Sequence, residues 1–332
     1  MQVVSPEFVK GKKVLLRLDI DVPLERIQDT GYRVQDDFRL KAGMPTLKLC
    51  LENAQKVIVI GHIGRPGGKE VPELSVKPVS NWLAEQHKQG NLPKGDLDVL
   101  ENLRFESGED GGDLEYAKEL AKMRDVFVYE AFASHRPAAS TTVLPTLLPH
   151  AAGLRFTREV SVLTRARENP RKPLVAIVGG AKVEDKFGSV LALAEFCDAV
   201  LVGGLLPKEI KEKNLEVPRN VMLGTLGENG IDLAEESVEA FIRLIKNAGE
   251  IIWGGPIGKY EDPEGIKGTG KLAEAILFSQ AETIVGGGDI VAAITKLGLL
   301  EKFEDKGLVS VGGGAMLKLL SEGTLPTMEA LS

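Results

Sequence analysis

The sequence predicts an α/β fold: two doubly wound parallel-sheet, Rossmann-like domains joined by a helical hinge. Three observations predict it. In the first half, apolar runs at VLLRLDIDV, KVIVIGH, LDVLENL and DVFVYEAF alternate with polar, helix-like stretches, the rhythm of βαβ units. In the second half, five short apolar strands each run into paired or tripled glycines, at residues 175–180, 200–204, 251–255, 283–288 and 309–314. Between the halves, residues 156–169 (FTREVSVLTRAREN) read as a helix that Pro170 and Pro173 close.

The expected divisions are a first domain over residues 1–157, a helical link over 158–171, a second domain over 172–316, and a tail over 317–332. A chain of 332 residues has room for two cores. Its formal net charge of −7 argues against a general nucleic-acid or membrane-surface binder, since either favours a basic balance. Cys50 and Cys197 lie far apart with no CxxC or Cys/His spacing, so buried free thiols in a reducing compartment are expected. The first residues form no continuous apolar core of a signal peptide, and no stretch approaches the ~20 apolar residues of a membrane span. The expected location is therefore cytoplasmic.

In the first domain, four arginines each follow an apolar run or sit in the loop after one: Arg39 in DDFRL, Arg65 in GHIGRPGG, Arg104 in LENLRF and Arg136 in ASHRPAAS. This brings them to one sheet edge. A forked, always-charged guanidinium binds phosphate or carboxylate through two parallel bonds, so the group reads as an anion site. His62 and His135 accompany two of them. His62 has either a structural hydrogen bond or a ligand contact. Asp19 and Asp21 in RLDIDVP alternate as on one strand, facing the same side, and either bind substrate hydroxyls or cap the turn before Pro23.

In the second domain, the five glycine-ended strands share a polarity. Ligands of open parallel sheets bind beyond the carboxyl ends of the strands, where glycine lets backbone N–H groups come close. GGAKVEDKF sets Lys182 and Lys186 four residues apart at a helix start, a phosphate cradle unlike a Walker loop. GIKGTGKL, residues 265–272, fits GxxxxGK but has Leu272 where Ser or Thr is needed, and no strand precedes it. It is rejected as a P-loop. A GxGxxG fingerprint after the first strand of either half is also missing, against nicotinamide-dependent chemistry. Asp289 in GGGDI either ligates a magnesium ion bridging phosphates or caps the helix that follows.

With these pieces in order, the chain resembles the phosphoglycerate kinase family over nearly its whole length. RLDIDVP, DDFRL, GHIGRP, LENLRF and ASHRPAAS match the family's acid-substrate segments, and GGAKVEDK, WGGPIGKYE, GGGDI and SVGGGA match its nucleotide loops in order. The resemblance implies a monomeric hinge-bending enzyme of glycolysis whose first domain holds 3-phosphoglycerate and whose second holds MgATP or MgADP. By it, Asp19, Asp21, Arg39, His62, Arg65, Arg104 and Arg136 bind the acid, and Arg39 stabilises the transferring group together with Lys182, Gly287 and Gly313. It further implies that Gly180, Lys182, Lys186, Gly203, Gly204, Pro256, Glu261, Gly286, Gly287, Gly288 and Asp289 bind nucleotide, with Glu261 on the ribose and Asp289 on Mg²⁺. The tail is expected to return to the first domain.

The chain departs from the family at several points. Asp21 stands for an Asn, Pro137-Ala138 for Ala-His, Gly254 for an Asn and Ile290 for a Thr or Ser, and LLPKEIKEKN replaces a third glycine and the helix start after Gly204. Losing one contact to a charged phosphate costs about 1.5–3 kcal/mol, which slows an enzyme without abolishing it. The sequence therefore predicts a compact, active phosphotransferase acting on a carboxyl group. Its alternatives are a degenerate nucleotide- or metabolite-binding paralogue and a kinase for another small carboxylic acid.

Overall fold

The computed structural model describes residues 1–28, 31–122 and 124–332. The contacts divide it into two units, Met1–Val160 with Thr324–Ser332, and Ser161–Gly323.

The first unit holds strands β1 (Lys13–Arg17), β2 (Leu24–Ile27), β3 (Gly31–Val34), β4 (Lys56–Ile60), β5 (Leu97–Val99), β6 (Val126–Tyr129) and β7 (His150–Ala152). Its main sheet has the order β5-β4-β1-β6-β7, with every neighbouring pair parallel. β2 and β3 pair separately as an antiparallel hairpin. Because side chains alternate across a strand, Val14, Leu16, Val57, Val59, Val126 and Val128 share one face. They join one core cluster with Leu40, Met44, Leu47, Val79 and Leu83 of the helices Phe38–Asn53 and Lys77–Lys88. The other face carries Phe127 and Tyr129, with Tyr129 edge-on to Phe156 at 5.1 Å between ring centroids. Both faces are buried, so the strands read as unbroken apolar runs, as parallel strands do.

The second unit holds β8 (Leu174–Val178), β9 (Ala199–Val202), β10 (Val221–Leu223), β11 (Glu250–Gly254), β12 (Glu282–Gly286) and β13 (Gly307–Ser310). They form one parallel sheet, β10-β9-β8-β11-β12-β13. The helix Val183–Ala194 packs against Gly313–Glu322, and Glu235–Ile245 against Lys267–Phe278. Trp253 is fully buried with its ring 6.0 Å from that of Phe303. At the amino-terminal end of β11, the fully buried Glu250 takes two bonds from Arg165, of 2.9 and 2.7 Å.

The glycine-ended runs are the strands β8, β9, β11, β12 and β13, and their common direction gives them one carboxyl edge. Three features differ from the sequence reading. β1 ends at Arg17, so Asp19 and Asp21 lie beyond the strand, Asp19 bonded to Ala133 and Ser134 and Asp21 to Gly64. The hairpin and the short strands β7 and β10 were not anticipated, because runs of three or four residues carry too little periodicity. A helix, Leu206–Glu212, does begin after Gly204 despite the altered sequence there, with Pro207 in its first turn, where a missing N–H costs nothing. The helix between the two halves runs from Leu154 to Glu168, and Thr324–Ser332 clusters with the first unit through the short helix Pro326–Ala330. Among the described residues, no helix is long and apolar enough to cross a membrane.

Candidate functional site

Each sheet carries polar groups at its carboxyl edge, and the two sets are described separately.

In the first unit the chain leaves β4 through Gly61, where a Cβ would meet Ile20 Cγ1 at 2.4 Å. His62 follows and is 7% exposed. Its Nδ1 lies 2.7 Å from Arg17 Nη2, and its Nε2 lies 3.9 Å from Asp21 Oδ2. Burial first, then the charges of Arg17, Arg104, Arg39 and Arg65, push the imidazole pKa down to about 2. His62 is therefore neutral across the physiological range, because burial and the neighbouring guanidinium charges both disfavour its cation. Asp21 opposes them: it accepts the Gly64 amide at 2.9 Å, and its backbone carbonyl accepts Arg39 Nη1 at 2.5 Å. The arginines outweigh it.

Arg104 donates to Gly64 O at 2.9 Å and pairs with Asp110 at 2.8 Å, which fixes its fork at the loop that carries His62. Arg65 is exposed at the same loop. Asp19 is directed elsewhere. Its two oxygens accept the Ala133 amide at 2.8 Å and the Ser134 hydroxyl at 3.0 Å, and burial raises its pKa against the pull of Arg39, those two bonds and Arg17. Its carboxylate clamps the loop after β6 with one bond to each oxygen, which leaves each oxygen a lone pair for a further donor. Arg136 lies exposed farther along that clamped loop, and the charges acting on His62 are those of the other arginines.

Sequence reasoning missed Arg17. It is 1% exposed, sits inside β1, and donates to Ser140 Oγ at 3.0 Å and Leu18 O at 2.8 Å as well as facing His62. The signal was present: a charge inside an apolar strand is costly unless it is paired.

In the second unit a cleft of about 390 Å³ opens at the sheet edge, lined among others by Gly180, Gly204, Leu205, Pro256, Lys259, Tyr260, Glu261 and Asp289. Of the expected nucleotide residues, Gly180, Gly204, Pro256, Glu261 and Asp289 thus meet at one cleft. Gly203, Gly286, Gly287, Gly288, Gly313, Lys182 and Lys186 stand outside its lining. Lys182 occupies the extended N-cap position of the helix Val183–Ala194, so it does not share a helical face with Lys186 as the spacing suggested. Lys186 is half-buried, its Cγ 3.6 Å from where a Gly180 Cβ would lie.

The glycines serve the fold as well as the cleft. Gly204 has φ +70°, and a Cβ there would fall 2.4 Å from Gly180 O. A Cβ on Gly313 would fall 2.3 Å from Gly287 Cα, whereas Gly288 borders open space. Close approach of loop to loop therefore demands several of these glycines whatever the ligand.

Asp289 lies exposed in the first turn of the helix Gly288–Lys296 and makes no capping bond, which removes the capping alternative. Burial raises the Tyr260 pKa, with the charges of Asp289 and Glu261 adding to it. Ile290 is fully buried beneath the turn, so a side chain at this position points into the core. At the rejected P-loop, the Gly268 amide is taken by Asp232 Oδ2 at 2.6 Å, so one of the chain's own carboxylates stands where a phosphate would have to bind. Lys259, Tyr260 and Leu205 went unremarked in the sequence and line the cleft. Among the described residues there is no group of three or more His, Cys, Asp or Glu suited to hold a metal by itself.

Comparison with known proteins bears on both edges. The family model described as "Phosphoglycerate kinase" matches residues 5–222 and 208–323. A "Phosphoglycerate kinase" of Rippkaea orientalis is 34% identical over 400 aligned positions, covering 98% of this chain and 97% of its own. One from Dictyoglomus turgidum is 34% identical, covering 98% and 96%. Among solved structures, phosphoglycerate kinase from Coxiella burnetii superposes with a TM-score of 0.80 at 29% identity, covering 97% of this chain and 96% of its own. That from Pyrococcus horikoshii superposes with a TM-score of 0.82 at 26% identity, covering 100% and 98%.

Proposed function

The chain belongs to the phosphoglycerate kinase family, and we propose that it transfers a phosphoryl group reversibly between ATP and the carboxylate of 3-phosphoglycerate. The observation that carries this reading is the placing of Arg17 against His62, of Arg39 against Asp21 and of Arg104 against Gly64 at the carboxyl edge of one sheet. In the forward direction a carboxylate oxygen of the acid forms a bond to the γ-phosphorus as the bond from that phosphorus to the β-phosphate bridging oxygen breaks. The products are the acyl phosphate 1,3-bisphosphoglycerate and ADP. No proton moves at the reacting oxygens, so the protein needs no base. What it must supply is position and positive charge for a loose, highly anionic transition state.

In this reading Arg39, Arg65, Arg104, Arg136 and His62 hold the acid, with Arg39 nearest the transferring group. Asp19 binds the acid as well as clamping the loop that carries Arg136. The cleft beside Gly180, Gly204 and Pro256 takes the nucleotide, Glu261 its ribose, and Lys182 and Lys186 its phosphates, with the Gly287 and Gly313 amides beside them. Asp289 holds Mg²⁺. A single exposed carboxylate suits this ion, which keeps most of its waters and completes its shell with phosphate oxygens. When bound, it neutralises charge on the β- and γ-phosphates. The acid-binding domain corresponds to Met1–Val160 with the tail Thr324–Ser332, and the nucleotide domain to Ser161–Gly323. By the family resemblance, a monomer in the cytoplasm that bends at a hinge before transfer completes the proposal.

Purified protein tested for MgATP-dependent phosphorylation of 3-phosphoglycerate, coupled to NADH oxidation, decides the matter. Activity that Arg39→Ala lowers by about 10²–10³-fold supports the reading. Nucleotide binding without turnover would leave a degenerate binding protein. One further reading has an observation in its favour: Asp21 brings a carboxylate into the cation cluster, which suits an acceptor acid with fewer charges than 3-phosphoglycerate. Turnover of other small carboxylic acids in the same assay separates the two.

A further inference from the structure

Arg17 opens the RLDIDVP motif but was not among the four arginines that first pointed to the anion site, and its guanidinium lies in direct hydrogen-bond contact with the His62 ring, at 2.7 Å. We propose that Arg17 is a positioning residue: clamped by Glu109 through Ser140, it fixes His62 as the neutral tautomer that carries its proton on Nε2. His62 then meets the acid substrate as a hydrogen-bond donor, and neither as a cation nor as a base.

Donor and acceptor arithmetic dictates each link. Glu109 is 1% exposed and accepts the Ser140 amide at 3.0 Å and the Ser140 hydroxyl at 2.5 Å. A carboxylate only accepts, so the hydroxyl proton points at Glu109 and an oxygen lone pair is left facing the opposite way. Arg17 Nε donates to that oxygen at 3.0 Å, which with the Nη1 bond to Leu18 O holds the guanidinium plane. A guanidinium has no acceptor, so Nη2 opposite Nδ1 requires an unprotonated Nδ1. The neutral ring then carries its hydrogen on Nε2, the nitrogen nearer Asp21. Protonating Nδ1 would set N–H against N–H.

The charges around the ring act in the same sense. Arg17 from β1, Arg39 from the helix Phe38–Asn53, Arg65 from the loop after β4 and Arg104 from the turn after β5 all oppose a fifth positive charge. Asp21 is the opposing carboxylate, and 3.9 Å from Nε2 is too long for a hydrogen bond. A neutral donor offers the acid a directed bond without adding to the repulsion among the arginines. Buried Arg17 and Glu109 also offset each other's charge through Ser140, so the relay adds no net charge to the core.

The functional half of this proposal rests on the kinase reading; the tautomer does not. The test is long-range proton–nitrogen correlation on ¹⁵N-histidine-labelled, ligand-free full-length protein between pH 5 and 8. His62 is assigned among the four histidines by His62→Gln. The expected result is a pyridine-type Nδ1 and a pyrrole-type Nε2 that do not titrate across the range. Titration near the ordinary histidine value, a protonated Nδ1 or a mixture of tautomers in the native protein overturns the proposal, and this readout needs no substitution that might unfold the chain. In Ser140→Ala the clamp on Arg17 is withdrawn. We expect mixed His62 tautomers and a roughly tenfold rise in KM for 3-phosphoglycerate, with KM for MgATP unchanged. A Ser140→Ala protein that keeps the single tautomer overturns the clamp, and one whose KM for the acid is unchanged overturns the functional half. A fixed tautomer in a protein inactive toward 3-phosphoglycerate would count against the kinase reading alone.

Discussion

The Glu130 carboxylate accepts the backbone N–H of Arg155 at 2.9 Å, so a fully buried acid sits against the first turn of the helix Leu154–Glu168. Thr46 donates to the same oxygen at 2.9 Å, and the Phe156 amide to the other at 3.3 Å. Those bonds and the helix dipole favour the ionised form, but burial outweighs them and raises the pKa to about 8.

A raised acid pKa means that the folded state holds a proton which the unfolded chain releases near pH 4.5. Stability from this group should therefore fall as pH rises from about 4.5 to 8 and level off above that, by a few kcal/mol at most. Urea unfolding at pH 5.5, 7 and 8.5, compared with Glu130→Gln, isolates the slope. If the wild-type and Glu130→Gln curves stay parallel, Glu130 does not titrate in this window.

Removing the Arg39 guanidinium should lower kcat by about 10²–10³-fold, the size found when one preorganised donor to a transition state is lost. KM for MgATP should stay within about twofold, because the nucleotide residues belong to the other unit. Equal losses for both substrates would point instead to damage of the fold, which circular dichroism and unfolding would reveal.

Arg165→Met leaves Glu250 buried without its bidentate partner. The expected cost is about 3 kcal/mol, the low end for a broken buried pair, because Arg165 is itself 32% exposed. The midpoint of urea unfolding reads this directly. Since the pair lies at the amino-terminal end of β11, remote from the glycine edge, the folded fraction should retain its nucleotide affinity.

Gly313→Ala and Gly288→Ala should part company. The first sets a Cβ against the Gly287 backbone and should destabilise by about 1–3 kcal/mol while weakening nucleotide binding. The second meets nothing within 4 Å and gains helix propensity, so stability should hold or rise by up to about 1 kcal/mol. If nucleotide affinity measured by calorimetry also falls in Gly288→Ala, the phosphates approach that backbone. If it does not, they bind elsewhere along the edge.

Much of this was legible in the sequence because it is local. The apolar runs of β1, β4, β6 and β8 and the glycines closing β8, β9, β11 and β12 are short-range patterns, as is the order of the arginine motifs. The pairing of Asp19 with Asp21 on one strand failed because β1 ends at Arg17 and both residues lie beyond it. Lys182 lies outside the helical repeat that its spacing from Lys186 suggests, because the helix begins one residue after it. In both cases the spacing was right and the backbone conformation was not the regular one assumed.

What the sequence alone determined is the architecture and the location of its chemistry: parallel sheets, a glycine-lined edge in one half and a cationic edge in the other. These follow from side-chain periodicity and turn chemistry, which act over a few residues. Only the tertiary structure decided which atoms face each other. Arg17 meets Ser140 across 123 positions and His62 across 45, and Ser140 meets Glu109 across 31. Such bonds form only after the strands have packed and water has been excluded. Their strength and direction come from burial, which local sequence does not encode.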